Sequence, residues 1–188
     1  MDKEKSKRIC PVEKAGGLDN SLRKLLQNPH RILKQYVSKG MTVLDLGCGP
    51  GFFSIPMAKL LFDSGKVIAA DSQEGMLEKV NNKIKGTKLE QRIMIHKCEE
   101  NKIGVTENVD FVLAFYVIHE VPNQEKLFEE LNSILKRNGQ LFIAEPPFHV
   151  STKSFEEMIS RATSRGFEII DRPRVFFSRT VLLTNKKV

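Results

Sequence analysis

The stretch Thr42-Val-Leu-Asp-Leu-Gly-Cys-Gly-Pro-Gly51 restricts the fold more than any other part of this chain. A short apolar run carries the acid Asp45 near its end. Glycines follow at alternate positions, Gly47, Gly49 and Gly51, and the apolar segment Phe52 to Leu61 reads as a helix. Glycine has no Cβ and takes positive φ freely, so a strand, glycine turn and helix in this order let a ligand lie against bare backbone. The same ligand meets the helix N-terminus, where backbone N–H groups lack partners. The pattern points to a site for a nucleotide-type ligand.

Spacing narrows the ligand. A dinucleotide fingerprint is G-x-G-x-x-G. Here the third glycine comes one residue early and position 52 is Phe52. No Lys-Ser or Lys-Thr pair follows, which excludes a P-loop. Asp71 ends the next apolar run, twenty positions after Gly51. A carboxylate there can accept both ribose hydroxyls of an adenosine. Asp71-Ser72 equally suits a helix N-cap, because a helical pattern follows.

At 188 residues the chain fits one domain with a sizeable core. No apolar run reaches the length that spans a bilayer, and Met1 to Arg8 lacks the apolar stretch of a secretory signal. Cys10, Cys48 and Cys98 are an odd number without a C-x-x-C pair, so a reducing cytoplasm is expected. The net charge of +7 is uneven: +6 over residues 1–40, −3 over 41–150 and +4 over 151–188. Basic ends can attract RNA or anionic substrates, and equally form a solvated surface. The phenylalanines fall in apolar runs and do not interleave with the basic residues as a base-stacking platform would.

After residue 40, strands and helices alternate. Strands are expected at Met41–Leu46, Lys66–Ala70, Ile93–His96, Val109–Phe115, Gln140–Glu145, Glu168–Asp171 and Val175–Thr184. Helices are expected near Gly51–Asp63, Gly75–Lys85, Gln124–Lys136 and Lys153–Arg165, with Gly139 as a C-cap after the third. This is an α/β fold: a doubly wound, seven-stranded, mostly parallel sheet with an antiparallel terminal hairpin strand. Residues 41–188 form this Rossmann-like domain. Residues 1–40 form a separate helical cover segment, with short helices at Ser21–Leu26 and Arg31–Val37 and Asn28-Pro29 at the second helix start.

Asp-Leu-Gly-Cys-Gly-Pro-Gly resembles motif I of the class I S-adenosylmethionine-dependent methyltransferases. Over roughly residues 40–185 the strand count and terminal hairpin also resemble that fold, in its small-metabolite, ubiquinone/menaquinone-methyltransferase-like superfamily. The resemblance implies S-adenosylmethionine as methyl donor. Asp45 and the backbone of Gly47, Cys48, Gly49 and Gly51 would hold its amino-acid end, and Asp71 with Ser72 its ribose. Met76 would cover the adenine, and Cys98 and Glu99 would meet its edge. Phe115, at a strand end resembling motif IV, would face the methyl donor. In similar enzymes the N-terminal segment lies against the cofactor cleft and contributes to the acceptor site.

His119 and Glu120 are an adjacent acid/base pair close to that strand end, able to remove a proton from an acceptor, or to orient the loop instead. No Asp/Asn-Pro-Pro-Tyr/Phe follows Phe115, which argues against exocyclic adenine methylation. The acceptor site is left to residues 1–40, the loop after Phe115 and the loop 146–153, with Phe148 and His149 available. A small-molecule acceptor is expected. RNA or protein as acceptor, a non-catalytic cofactor-binding subunit, and methylation of a thiol or metalloid through the cysteines are the competing readings. No resident metal is expected.

Overall fold

The computed structural model describes residues 21–99 and 101–186. Cys10 and the first half of the expected cover segment lie outside these residues. In chain order the elements are α1 (Ser21–Leu26), α2 (Pro29–Leu33), β1 (Thr42–Leu46), α3 (Ser54–Leu60), β2 (Lys66–Asp71), α4 (Glu74–Ile84) and β3 (Ile93–Lys97). Then come β4 (Val109–Phe115), a 3₁₀ turn (Ile118–Glu120), α5 (Gln124–Ile134), β5 (Leu135–Glu145), α6 (Thr152–Ser164), β6 (Phe167–Asp171) and β7 (Arg179–Asn185).

Local chemistry sets the helix starts. Asn28, Asn123 and Ser151 each accept a hydrogen bond from the backbone N–H three residues on, at 3.1, 3.0 and 3.0 Å. Pro29 occupies the first turn of α2, where its missing N–H costs nothing. That helix stops at Leu33, short of the expected Val37, and residues 34–36 continue as a turn.

The seven strands form one sheet in the order β3-β2-β1-β4-β5-β7-β6. β1 to β5 are parallel, and β7 runs antiparallel to both β5 and β6. Strand side chains alternate between faces. Leu44, Ile68, Val112 and Ile143 therefore join one core with Phe128 and Leu131 of α5 and Phe155 and Met158 of α6. Val43, Val67, Phe111 and Phe142 join the other, with Leu33, Met57 and Leu77 from α2, α3 and α4. Each fully buried side chain of this size contributes about 1.5–3 kcal/mol. Both faces are covered, which is why these strands read as continuous apolar runs.

The α5–β5 junction departs from expectation. The helix ends at Ile134, and Asn138, not Gly139, takes positive φ (+60°). Gly139 is instead required by space, since a Cβ there would stand 2.8 Å from Leu135 Cγ and from the Lys136 carbonyl oxygen. Leu135 pairs with Val109 before the register shifts, so the strand begins earlier than Gln140.

The sheet places the site. The chain winds outward from β1 through β2 to β3, then returns to β4 on the other side of β1. The loops after β1 and β4 diverge at this switch point and leave a crevice at the strands' carboxyl ends.

Candidate active site

A cleft of about 1110 Å³ occupies that crevice. The β1–α3 turn forms its floor. Gly47, Gly49 and Gly51 have φ of +67°, +52° and +84°. At Gly47 a Cβ would stand 2.5 Å from Val117 Cγ2, so the turn can lie this close to the β4 loop only without a side chain. Cys48 N–H donates to the Ala70 carbonyl at 3.0 Å, and Lys83 Nζ holds the Pro50 carbonyl at 2.6 Å.

Two buried acids flank the turn. Asp45 is 2% exposed, and its Oδ2 accepts from Ser54 Oγ at 2.5 Å. Burial pushes its carboxyl up to about 7 against the pull of the Ser54 hydrogen bond, and the Asp71 charge adds to the rise. Asp71 binds two backbone donors on different oxygens, Gln73 N–H on Oδ1 and Gly49 N–H on Oδ2, both at 2.9 Å. Burial raises its pKa while these N–H groups and Lys97 oppose the rise. Asp71 therefore ties the glycine turn to the loop after β2. Each carboxylate oxygen keeps a second lone pair. The N-cap of α4 is Gln73, not Asp71, and its side chain makes no cap hydrogen bond; nor does that of Phe53 at the start of α3.

Of the residues singled out in the sequence, Asp45, Gly47, Cys48, Gly49, Asp71, Ser72, Met76, Cys98, Glu99, Phe115 and Glu120 line this one cleft. Gly51 does not. Its positive φ turns the chain into α3, and a Cβ would stand 3.3 Å from Val80 Cγ2 behind the turn. His119 does not line the cleft either. Its Nδ1 lies 2.5 Å from Oε2 of Glu145, which is fully buried. Glu145 Oε1 accepts from the N–H groups of Ile118 and His119 at 2.8 and 3.2 Å. Burial lowers the His119 pKa, but the hydrogen bond and charge of Glu145 outweigh it and the net shift is upward. The Glu145 bond favours the protonated imidazole and clamps the loop after β4 to the end of β5. Loop 146–153 also stays out of the lining, with Phe148 70% exposed and the His149 ring against Phe148 and His119.

The structure adds residues that no motif announced. Arg23 of α1 reaches into the cleft with its guanidinium 4.3 Å from the Phe52 ring centroid. The Phe53, Phe115 and Tyr116 rings lie within 5.7–5.9 Å of the same group. Tyr116, the residue after β4, has φ +64°, an uncommon conformation for a bulky residue. Its hydroxyl donates to Phe177 O at 2.7 Å.

A family profile described as a methyltransferase domain matches residues 37–171. The chain belongs to the class I S-adenosylmethionine-dependent methyltransferases. It is 31% identical over 113 residues to a demethylmenaquinone methyltransferase of Lactobacillus johnsonii, covering 60% of this chain and 46% of that protein. It is 28% identical over 123 residues to a ubiquinone/menaquinone biosynthesis C-methyltransferase of Haemophilus ducreyi, covering 62% and 48%. The chain thus spans about half the length of these curated relatives. The crystal structure of an S-adenosylmethionine-dependent methyltransferase from Aquifex aeolicus superposes with a TM-score of 0.84 at 30% identity, covering 94% of this chain and all of that one.

The cleft fits the donor that defines the family. It pairs a floor in which Gly47 and Gly49 present bare backbone with a carboxylate, Asp71, whose spare lone pairs suit a ribose diol. No helix among the described residues is long and apolar enough to cross a membrane, and no metal-binding cluster occurs among them.

Proposed function

We propose that this chain transfers the methyl group of S-adenosylmethionine to a small, planar organic acceptor. The convergence of Asp45, the glycine turn and Asp71 on one cleft at the β1/β4 switch point carries this reading. When bound, the donor supplies a methyl group already activated on a sulfonium sulfur, so the protein's task is in-line positioning.

Asp45 and the backbone of Gly47, Cys48 and Gly49 hold the donor's amino-acid end, and Arg23 above the turn faces its carboxylate. Asp71 and Ser72 accept and orient the ribose. Met76, Cys98 and Glu99 border the adenine. Phe115 backs the reacting end. Phe52, Phe53 and Tyr116 wall the acceptor half with aromatic faces, which suits a flat ring. The relatives named as quinone methyltransferases fit such an acceptor. Glu120, the member of the His-Glu pair that lines the cleft, takes up the acceptor's proton. Residues 41–188 act as the catalytic domain and residues 1–40 as its cover, α1 closing the acceptor half. The buried thiols of Cys48 and Cys98 suit a reducing cytoplasm.

Titration calorimetry with S-adenosylhomocysteine and with NADH tests the donor. Radiolabelled S-adenosylmethionine, incubated with fractionated metabolites and with RNA, tests the acceptor. Binding of S-adenosylhomocysteine alone and label in a small-molecule fraction are expected. Absence of S-adenosylhomocysteine binding, or label confined to RNA and suppressed by salt, overturns the proposal.

A further inference from the structure

Gln27, just beyond α1, is a polar side chain only 6% exposed. A buried amide needs partners for both ends. Its Oε1 accepts from Arg23 Nε at 3.2 Å. Its Nε2 donates to Tyr116 Oη at 2.6 Å and to the Phe176 carbonyl at 3.0 Å, with Ser178 Oγ at 3.4 Å. Tyr116 Oη in turn donates a hydrogen bond to the Phe177 carbonyl at 2.7 Å. One amide therefore joins three segments distant in sequence: the cover helix, the end of β4 and the β6–β7 connection.

Two features make this junction more than a packing contact. Tyr116 and Phe177 are both non-glycine residues at positive φ, +64° and +51°, and the Tyr116 hydroxyl bonds the one to the other. Strained conformations persist where surrounding bonds over-determine them. The partners of Gln27 also line two different cavities. Arg23 and Tyr116 line the main cleft, whereas Phe176 lines a second cavity of about 420 Å³ beside α1 and α2. The amide thus hydrogen-bonds residues that line both cavities.

We infer that Gln27 is a positioning residue: through Arg23 and Tyr116 it fixes the wall of the cleft that the donor's carboxylate and the acceptor meet. The inference rests on the proposed donor site only for its binding readout. Its polarity is specific. With the amide reversed, the carbonyl would face the Phe176 carbonyl and two hydroxyl oxygens, and Arg23 would meet a donor. Gln27→Glu is nearly isosteric and keeps the Arg23 partner but loses the N–H groups that hold Tyr116 and Phe176. Gln27→Leu loses both.

The chain has no tryptophan and two tyrosines, so in a Tyr36→Phe background Tyr116 is the sole source of the tyrosine band, which lies to the red of the phenylalanine bands. The test compares near-ultraviolet circular dichroism and S-adenosylhomocysteine affinity for Gln27, Gln27→Glu and Gln27→Leu, each with and without Arg23→Ala. In both Gln27 variants the Tyr116 band is expected to fall by about half or more, with the far-ultraviolet spectrum retained. Gln27→Leu is expected to weaken S-adenosylhomocysteine several-fold, and no further once Arg23 is Ala, because coupled residues are non-additive. Gln27→Glu is expected to weaken it less. An unchanged Tyr116 band in the folded variants, or additive losses with Arg23→Ala, overturns the inference. If the parent protein fails to bind S-adenosylhomocysteine, the donor-site reading fails, and the Tyr116 band still decides the role of Gln27. Should Gln27→Leu not fold, the more conservative Gln27→Glu carries both readouts.

Discussion

Asp45 shows how much one buried side chain can control. Its carboxyl, raised to about 7 chiefly by burial, is half-protonated near neutral pH before any cation arrives. In the unfolded chain it titrates near about 3.9. Between those values the folded state holds a proton that the unfolded state has released, so stability falls as pH rises through this window. Asp45→Asn removes that loss. The variant is expected to melt higher than the parent at pH 8, by roughly 2–8 °C for a gain of about 1–2 kcal/mol. The donor's ammonium needs the ionised acid. S-adenosylhomocysteine affinity in the parent should therefore tighten from pH 6 to pH 8, by at most about tenfold per unit below pH 7. In Asp45→Asn it should be weaker and flat. Melting scans and calorimetry at both pH values check this, and parallel pH dependence in the two proteins would contradict it. Asp45, the glycines and Asp71 were legible in the sequence because their spacing is local and each residue type answers a backbone requirement. Arg23 and Gln27 were not, because their partners Phe52, Tyr116 and Phe176 are brought to them only by the fold.

At the scale of elements, the His119–Glu145 pair fastens the 3₁₀ turn after β4 to the end of β5. The sequence showed His119 beside Glu120 and suggested an acid/base pair. The hydrogen-bond partner of the imidazole lies twenty-six positions on, and only the parallel pairing of β4 with β5 brings it near. The raised His119 pKa gives the clamp a pH signature. Its stabilisation is full below the ordinary histidine value, near about 6.5, and fades as pH rises through the raised folded value. His119→Gln keeps a donor for Glu145 but not the charge. Urea unfolding at pH 6, 7.5 and 9 should show the variant destabilised by about 1–2 kcal/mol at pH 6, the gap closing toward pH 9. A gap that stays constant with pH would mean that imidazole protonation has no part in the clamp. This window extends upward from about 6.5, whereas that of Asp45 closes at about 7, so the pH 9 measurement reads the His119 contribution. Strand and helix existence was legible from periodicity; the ends were not. Gly139 looked like a C-cap because glycine after a helix usually is one, yet here close packing on Leu135 demands it.

For the whole molecule, the strand order was the inference that the sequence could support only indirectly. Alternating elements imply a doubly wound sheet, and the 3-2-1-4-5-7-6 order follows once the chain reverses between β3 and β4. That reversal gathers Asp45 from β1, Asp71 from β2, Cys98 after β3 and Phe115 from β4 around one cleft. A ligand held there bridges four adjacent strand ends, so its binding energy is coupled to unfolding of the sheet rather than to one loop. A ligand that binds only the folded state stabilises by about 2.7 kcal/mol at one hundred times its dissociation constant. For a chain of this length that corresponds to a melting shift of roughly 5–10 °C. S-adenosylhomocysteine at that excess should shift a single cooperative transition by this amount, and NADH at equal concentration should leave it unmoved. Gly47→Ala, which forces a Cβ against Val117 beneath the ligand, should lower the unliganded midpoint and abolish the shift together. A shift that survives in Gly47→Ala would place the ligand away from the glycine turn.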